Sequence, residues 1–388
     1  MFDENNDARW PTLVAGLILL IVLAAVAAMS AGLENEGHPF AVQENSAIHV
    51  GVPSLVGHVV LEENHEGVQM IAVASRATSE RTRSTVAGRL APVVPDRAMA
   101  RMLNSLGPID ESMSSCFGDR SLLAYDLGIA PAAVFELLAQ LLEASAPELH
   151  EWLNGALTEF RSASGLEPQI DLLPHLGHGI AVGLLPPEKD RDGWPFPRKI
   201  AIMRVLDEVA VAHFLDEWVT WEAGAVAPMT HGVLGASVWL ERVAGFEVVG
   251  LRLDGLLPAQ IPLPSPSFVV AGDYLIISPV RSAVVETLNL LGEGCVSPPA
   301  RATDETVVEE IWLNFPEWPG AWLRAEPFVA SVMELLGVES PVTVQGCRAL
   351  AEFLGEFGLA HGTTSLTPEG GFVFQIEVEP ANGPQPIP

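Results

Sequence analysis

Positive charge is the scarcest commodity in this chain. Of its 388 residues 20 are Lys or Arg against 49 Asp or Glu, a formal charge of −29. A body that acidic is repelled by phosphate backbones, which excludes general nucleic-acid binding. Only Lys189 and Lys199 are lysines, which removes the P-loop lysine and most Schiff-base chemistry. Cysteine is equally sparse: Cys116, Cys295 and Cys347 are far apart, with no CxxC. A Cys295–Cys347 bridge in an oxidising compartment and buried free thiols both fit that spacing. Also missing are a GxSxG elbow, an HExxH pair, a Walker A sequence and an EF-hand loop, so the familiar hydrolase, zincin, nucleotide and calcium motifs are excluded.

What is present begins with apolar material. Charged residues make up 18% and apolar ones 49%, enough for cores, and this excludes disorder as the main state. Leu13 to Met29 carry no charge, and with Thr12 and Ser30 to Leu33 they form a run of 22 residues. As a helix it is ~33 Å long, enough to cross a hydrocarbon core. Ala25-Val26-Ala27 and Ala28-Met29-Ser30 have the form of a signal-peptide cleavage site. The length of the run and the acidic residues before it (Asp3, Glu4, Asp7) favour a retained signal-anchor instead. Arg9 precedes the run and no cation follows before Arg76, which orients the N-terminus inward and the body outward. No lipid-attachment cysteine follows, so the helix itself is the anchor. The reading is a cytoplasmic tail (1–11), a transmembrane anchor (12–33), an acidic linker (34–46) and an exported body.

The body is too long for one ordinary core and predicts two lobes, 47–190 and 198–379, with a disordered tail at 380–388. Ala47 to Val52 read as a strand, and His58–Glu62 and Val68–Ala74 as a hairpin. From Leu122 a strand leads through Gly128 into a helix with Pro131 in its first turn. A second helix follows Pro147, and the strand Gly179–Leu185 closes the unit. Residues 310–379 repeat that order: a strand through Ile311, Leu313 and Phe315, a helix opening at Pro327, a second over Ala349–Phe357, and a hairpin after Pro368-Glu369-Gly370-Gly371. There Phe372, Phe374, Ile376 and Val378 alternate with polar residues, predicting one wet face. Between the units lie a strand (Ile200–Leu206), a helix from Asp207, two hairpins turning at Ala244-Gly245 and Gly272-Asp273, and a helix capped by Ser278-Pro279. The expected class is α+β: an N-terminal transmembrane helix followed by two α/β lobes with antiparallel sheets, internally duplicated as strand-helix-helix-strand.

Two stretches, Asp171-Leu172-Leu173-Pro174-His175-Leu176-Gly177-His178-Gly179-Ile180-Ala181-Val182 and Ser267-Phe268-Val269-Val270-Ala271-Gly272-Asp273-Tyr274-Leu275-Ile276-Ile277-Ser278-Pro279, resemble segments of bacterial membrane-anchored envelope proteins classed as a domain of unknown function. The resemblance spans about residues 120–380 in element order. It implies an exported protein and brings no catalytic residues.

Candidate chemistry is thin. Gly177-His178-Gly179 with Gly183 lies in a strand, where a dinucleotide fingerprint needs a strand-to-helix turn. His175 and His178 flank a turn rather than share a helical face. Asp190-Arg191-Asp192-Gly193 reads as a solvated loop, because Arg191 stands between the carboxylates. His58, Glu62, Glu63 and His65 are the densest ligand-type set, yet only His58 and Glu62 share a strand face, so an exposed hairpin tip is favoured over a metal site. Glu309 and Glu310 are adjacent and point apart, a poor acid/base pair. No metal or cofactor is expected.

Two features carry interaction potential. The arginines Arg76, Arg81, Arg83, Arg89, Arg97 and Arg101 form the single basic block, suited to an acidic partner or to pairing with the acidic body. Trp318 and Trp322, beside Trp312, could form an exposed aromatic ledge or a packed loop. The expectation is a single-pass inner-membrane protein with its C-terminal domain periplasmic or extracellular. It acts as a non-enzymatic binding or scaffold protein with an envelope partner. The alternatives are a carrier of an apolar ligand and a hydrolase with a site assembled from distant residues.

Overall fold

The computed structural model describes residues 56–61, 68–77, 82–90, 105–110, 112–113, 116–117, 121–188, 194–229, 234–255, 264–292, 306–335, 341–355, 357–366 and 371–380. The expected anchor and linker, the strand at 47–52, residues 381–388 and Cys295 lie outside them. Among the described residues no helix is long and apolar enough to cross a membrane.

The strands are β1 (Val56–Leu61), β2 (Val68–Ala77), β3 (Thr82–Leu90), β4 (Leu123–Leu127), β5 (Leu176–Leu185), β6 (Arg198–Val205), β7 (Leu234–Val243), β8 (Phe246–Gly255), β9 (Ser267–Ala271), β10 (Tyr274–Ser278), β11 (Thr306–Asn314), β12 (Phe357–Leu366) and β13 (Gly371–Pro380). The longer helices are α1 (Pro131–Ser145), α2 (Pro147–Ser164), α3 (Glu208–Met229), α4 (Arg281–Gly292), α5 (Trp318–Leu335) and α6 (Pro341–Gly355). All strands join one antiparallel sheet in the order β1-β2-β3-β13-β12-β11-β4-β5-β6-β10-β9-β8-β7. The sheet does not break between the two expected lobes: β5 and β6, either side of that boundary, are hydrogen-bonded neighbours, and β4 pairs with β11.

That β4–β11 pair organises the molecule. On one side run β4, β5 and β6 and on the other β11, β12 and β13, with a helix pair following the first strand in each case. Antiparallel neighbours are related by a local two-fold axis normal to the sheet. The two strand-helix-helix-strand units are therefore topological counterparts about their shared seam.

Strand alternation sorts the core into two layers. Tyr125, Leu127, Ile180, Val182, Met203, Val205, Phe268 and Leu275 face one way. They are covered by Val134 of α1, Phe160 of α2 and the stripe Val211, Phe214, Leu215, Trp218 and Val219 of α3. Ala124, Ala181, Ile200, Ile202, Val269 and Ile276 face the other way, against Ala283, Val284 and Leu288 of α4 and against Met113, Cys116 and Phe117. Small residues make this second layer fit: a Cβ on Gly183 would lie 2.7 Å from Cδ1 of Phe117 and 2.9 Å from Cγ2 of Ile200. Cys116 is a buried free thiol whose Sγ donates to the Ser112 carbonyl. The α3 stripe ends on Glu222, only 2% exposed. Its Oε2 makes no hydrogen bond among the described residues, and burial pushes its carboxyl up to about 8.

Three expectations need correction. First, α5 starts at Trp318 and contains Pro327 rather than opening there. Pro319 sits in its first turn, where a missing N–H costs nothing, and packs against Gly355 of α6. Second, α6 starts at Pro341, not Ala349, and ends at Gly355, so that Phe357 belongs to β12. Third, residues 373–378 are all half-buried, without the expected wet face, because β13 lies inside the sheet between β3 and β12. The other helices, and the hairpin turns at Ala244-Gly245 and Gly272-Asp273, fall where the sequence places them. Ser278 caps α4 by accepting from the Val280 N–H at 3.0 Å.

The ladder registers define two ends of the sheet. Val56 of β1, Ala77, Thr82, Leu123, Leu185, Asn314, Phe357 and Pro380 lie toward one end; Leu61, Leu127, Leu176, Val205, Tyr274 and Leu366 lie toward the other.

Candidate functional site

At the second of these ends a backbone crossing shapes a pocket. Gly107 donates to the Gly128 carbonyl at 2.7 Å, Gly128 to Val308 at 2.8 Å and Ile109 to Val307 at 3.0 Å. The segment before Asp110 is thus laid across the ends of β4 and β11. No side chain fits at the crossing: a Cβ on Gly128 would lie 2.0 Å from the Gly107 carbonyl oxygen.

The crossing delivers Asp110 to a cluster drawn from three parts of the chain. Asp110 Oδ1 accepts from the Ser112 amide at 3.2 Å and from the Ser112 hydroxyl. Its Oδ2 accepts from the Tyr274 hydroxyl at 3.0 Å and from Nη1 of Arg204 at 3.2 Å. The Ser112 and Tyr274 oxygens are 2.7 Å apart. Arg204 of β6 and Tyr274 of β10 are direct cross-strand partners, which is why both reach the same carboxylate. Nη2 of Arg204 lies 3.9 Å from Asp273 in the β9–β10 turn.

Asp110, Ser112 and Arg204 of this cluster form one wall of an open cavity of about 780 Å³, also lined by Pro108, Ile109, Ala130, Leu176, His178 and Leu206. Leu206 is 68% exposed at the rim. The volume falls in the range of small-molecule and peptide-segment sites. Burial raises the Tyr274 phenol, and Asp110 adds to that, while Ser112 and Arg204 act in the opposite sense. The phenol therefore stays protonated and donates. The Asp110 carboxylate is shared among Arg204, Ser112 and Tyr274, and it fixes Arg204 in place.

A second set of polar groups lies at the seam. Glu309 accepts from Tyr125 at 2.7 Å and from Thr364 at 2.6 Å. Burial first, then Glu309, pushes the Tyr125 phenol well above its ordinary value. Glu310 takes the other face, where its Oε1 is 2.7 Å from Nε2 of His361, and Trp312 stacks on that imidazole at 3.7 Å. The two carboxylates point apart, as strand alternation requires.

Of the sequence-derived candidates, Arg76 stands opposite Arg83 across β2 and β3, Arg83 opposite Glu377, and Arg89 opposite Gly371. Arg81, Arg97 and Arg101 lie outside the described residues, as do Glu62, Glu63 and His65. Trp318 and Trp322 are half-buried in α5, with both indole nitrogens buried and without hydrogen-bond partners among the described residues. Of the three tryptophans it is Trp312 that is exposed, at 40%. Among the described residues no three His, Cys, Asp or Glu side chains converge on a metal site. The pocket escaped sequence reading, apart from His178 on its wall: Arg204 and Tyr274 stand 94 and 164 positions from Asp110. The available signals were Tyr274, one of two tyrosines in the chain, and Arg204 interrupting an apolar strand.

No family model, curated protein or solved structure matches the chain.

Proposed function

We propose that this is a single-pass, membrane-anchored protein of the bacterial envelope whose exported body is a non-enzymatic binding module. In this reading residues 12–33 are the anchor in the inner membrane, and the two topologically matched units arose by duplication. The body takes a segment of an envelope partner, or a small amphipathic ligand, in the pocket beside Asp110. One observation carries the reading: an open cavity of about 780 Å³ combines aliphatic walls with an arginine fixed by Asp110. Such a site offers apolar area together with oriented N–H donors. The cluster's own chemistry favours binding over hydrolysis, because its serine is held by a carboxylate that also accepts from Arg204 and by a protonated phenol. Carriage of an apolar ligand inside the fold is disfavoured by the filled layers between helices and sheet.

The test is photo-crosslinking in intact cells. A photoreactive residue replaces Leu206 at the rim or, as a control, His213 on the exposed side of α3. The reading requires capture of the same envelope component at 206, little at 213, and loss of capture in Arg204→Ala. Equal capture at both positions, or indifference to Arg204, sinks it.

A further inference from the structure

We infer that the aromatic patch at the start of β12 contacts the bilayer surface and holds the body against the membrane; this rests on the anchor reading above. Phe353 of α6 meets Phe357 edge-on at 5.2 Å, and Phe357 meets Phe315 at 5.8 Å. Around them Leu350, Phe353, Phe357 and Leu359 remain 57%, 54%, 39% and 42% exposed. Single exposed apolar residues are ordinary, but a contiguous aromatic cluster marks a surface with an occupant.

The position of the patch identifies that occupant. Val56 opens β1, and the registers Val56–Arg76, Arg76–Arg83, Arg83–Glu377 and Glu377–His361 run across the sheet to β12. Phe357 and Leu359 lie just beyond His361, toward the end of the sheet at which the chain enters from its N-terminal segment. Four strand spacings separate β1 from β12, about 19 Å. In the anchor reading the linker 34–46 has 13 residues, and a flexible chain of that length spans roughly 20 Å. The patch and the chain's entry point are thus within one linker length of the same bilayer. Phe and Leu are side chains that partition into its interfacial region. The pocket beside Asp110 lies at the opposite end of the sheet and stays open to the aqueous side.

The experiment reconstitutes the full chain in phosphatidylcholine vesicles containing a lipid with a photoreactive acyl tail, and maps adducts by peptide mass spectrometry. The expected result is adducts in residues 12–33 and also in the peptide covering 350–359. The latter should drop about tenfold in the double variant Leu350→Ser, Phe353→Ser, with an unchanged thermal unfolding midpoint. Adducts in 12–33 alone overturn the inference and leave the anchor standing. Adducts in neither region overturn both. Protein–protein crosslinks through 350–359, with a doubled particle mass, would assign the patch to a second copy instead and also overturn the inference.

Discussion

The two units about the β4–β11 seam have the same element order and different surroundings. In the first, the C-terminal half of α2 is tied down, with Phe160 buried and edge-on to Trp221 of α3 at 5.1 Å, while Leu149 and Trp152 in its first turns are exposed. In the second, α6 leaves Leu350 and Phe353 in water. The difference lies in the neighbours. The first unit is followed by β6 and then by α3, a 22-residue helix that packs on the sheet and meets α2 through Trp221. The second is followed directly by β13 and then, in space, by β3. One topology can therefore give a finished core or a half-covered face, depending on what the next segment of chain supplies.

The largest effects should separate the two units. Phe160→Ala should cost about 4 kcal/mol, the range for a buried phenylalanine. The same change at Phe353 should stay within about 0.5 kcal/mol, the range for surface sites. Urea midpoints of the two variants measure both, and similar losses would remove the contrast.

The next prediction concerns the helix that finishes the first unit. The Glu222 carboxyl is raised from an ordinary 4.5 to about 8 by burial, so between those values the unfolded chain releases a proton that the folded chain keeps. Stability therefore falls as pH rises through that window and levels above about 8. Glu222→Gln should remove this slope. The variant should match the wild type near pH 4 and exceed it by roughly 4 kcal/mol at pH 8. A pH-independent difference would contradict the assignment.

Smaller again is Asp110→Asn. It weakens four hydrogen bonds in the pocket wall without opening a cavity, for an expected loss of about 2 kcal/mol. Arg204→Ala should then add little further loss, because its partner has already changed. The smallest effect should come at the β7–β8 turn, where Ala244 has φ 50°, a left-handed conformation that suits asparagine better. Ala244→Asn should gain about 0.5 kcal/mol.

Local patterns were legible in the sequence wherever the cause is local. Pro131 and Pro147 open helices because a first-turn proline loses no hydrogen bond. Ser278 caps α4, and the tight turns fall at Ala244-Gly245 and Gly272-Asp273. Pro327 misled because its effect depends on register: α5 was already wound when it arrived. The continuity of the sheet was illegible for a different reason. The β4–β11 and β3–β13 pairings join residues more than 180 positions apart, and nothing in either strand names its partner. The pocket failed to show for the same cause: Asp110 and Ser112 sit in a stretch with no periodic pattern, and only folding brings Arg204 and Tyr274 to them.

The sheet order has a mechanical consequence. Whatever is joined to residue 56 pulls on β1, which among the described residues is an edge strand with a single hydrogen-bonded neighbour. A load there passes through the ladders of β1, β2 and β3 in turn before it reaches the rest of the sheet. The first strand from the C-terminal unit to feel the load is β13, and β5 and β6, which line the pocket, lie further in still. Three strands of N-terminal meander thus stand between residue 56 and the unit that contributes β13, and the cavity beside Asp110 lies beyond both.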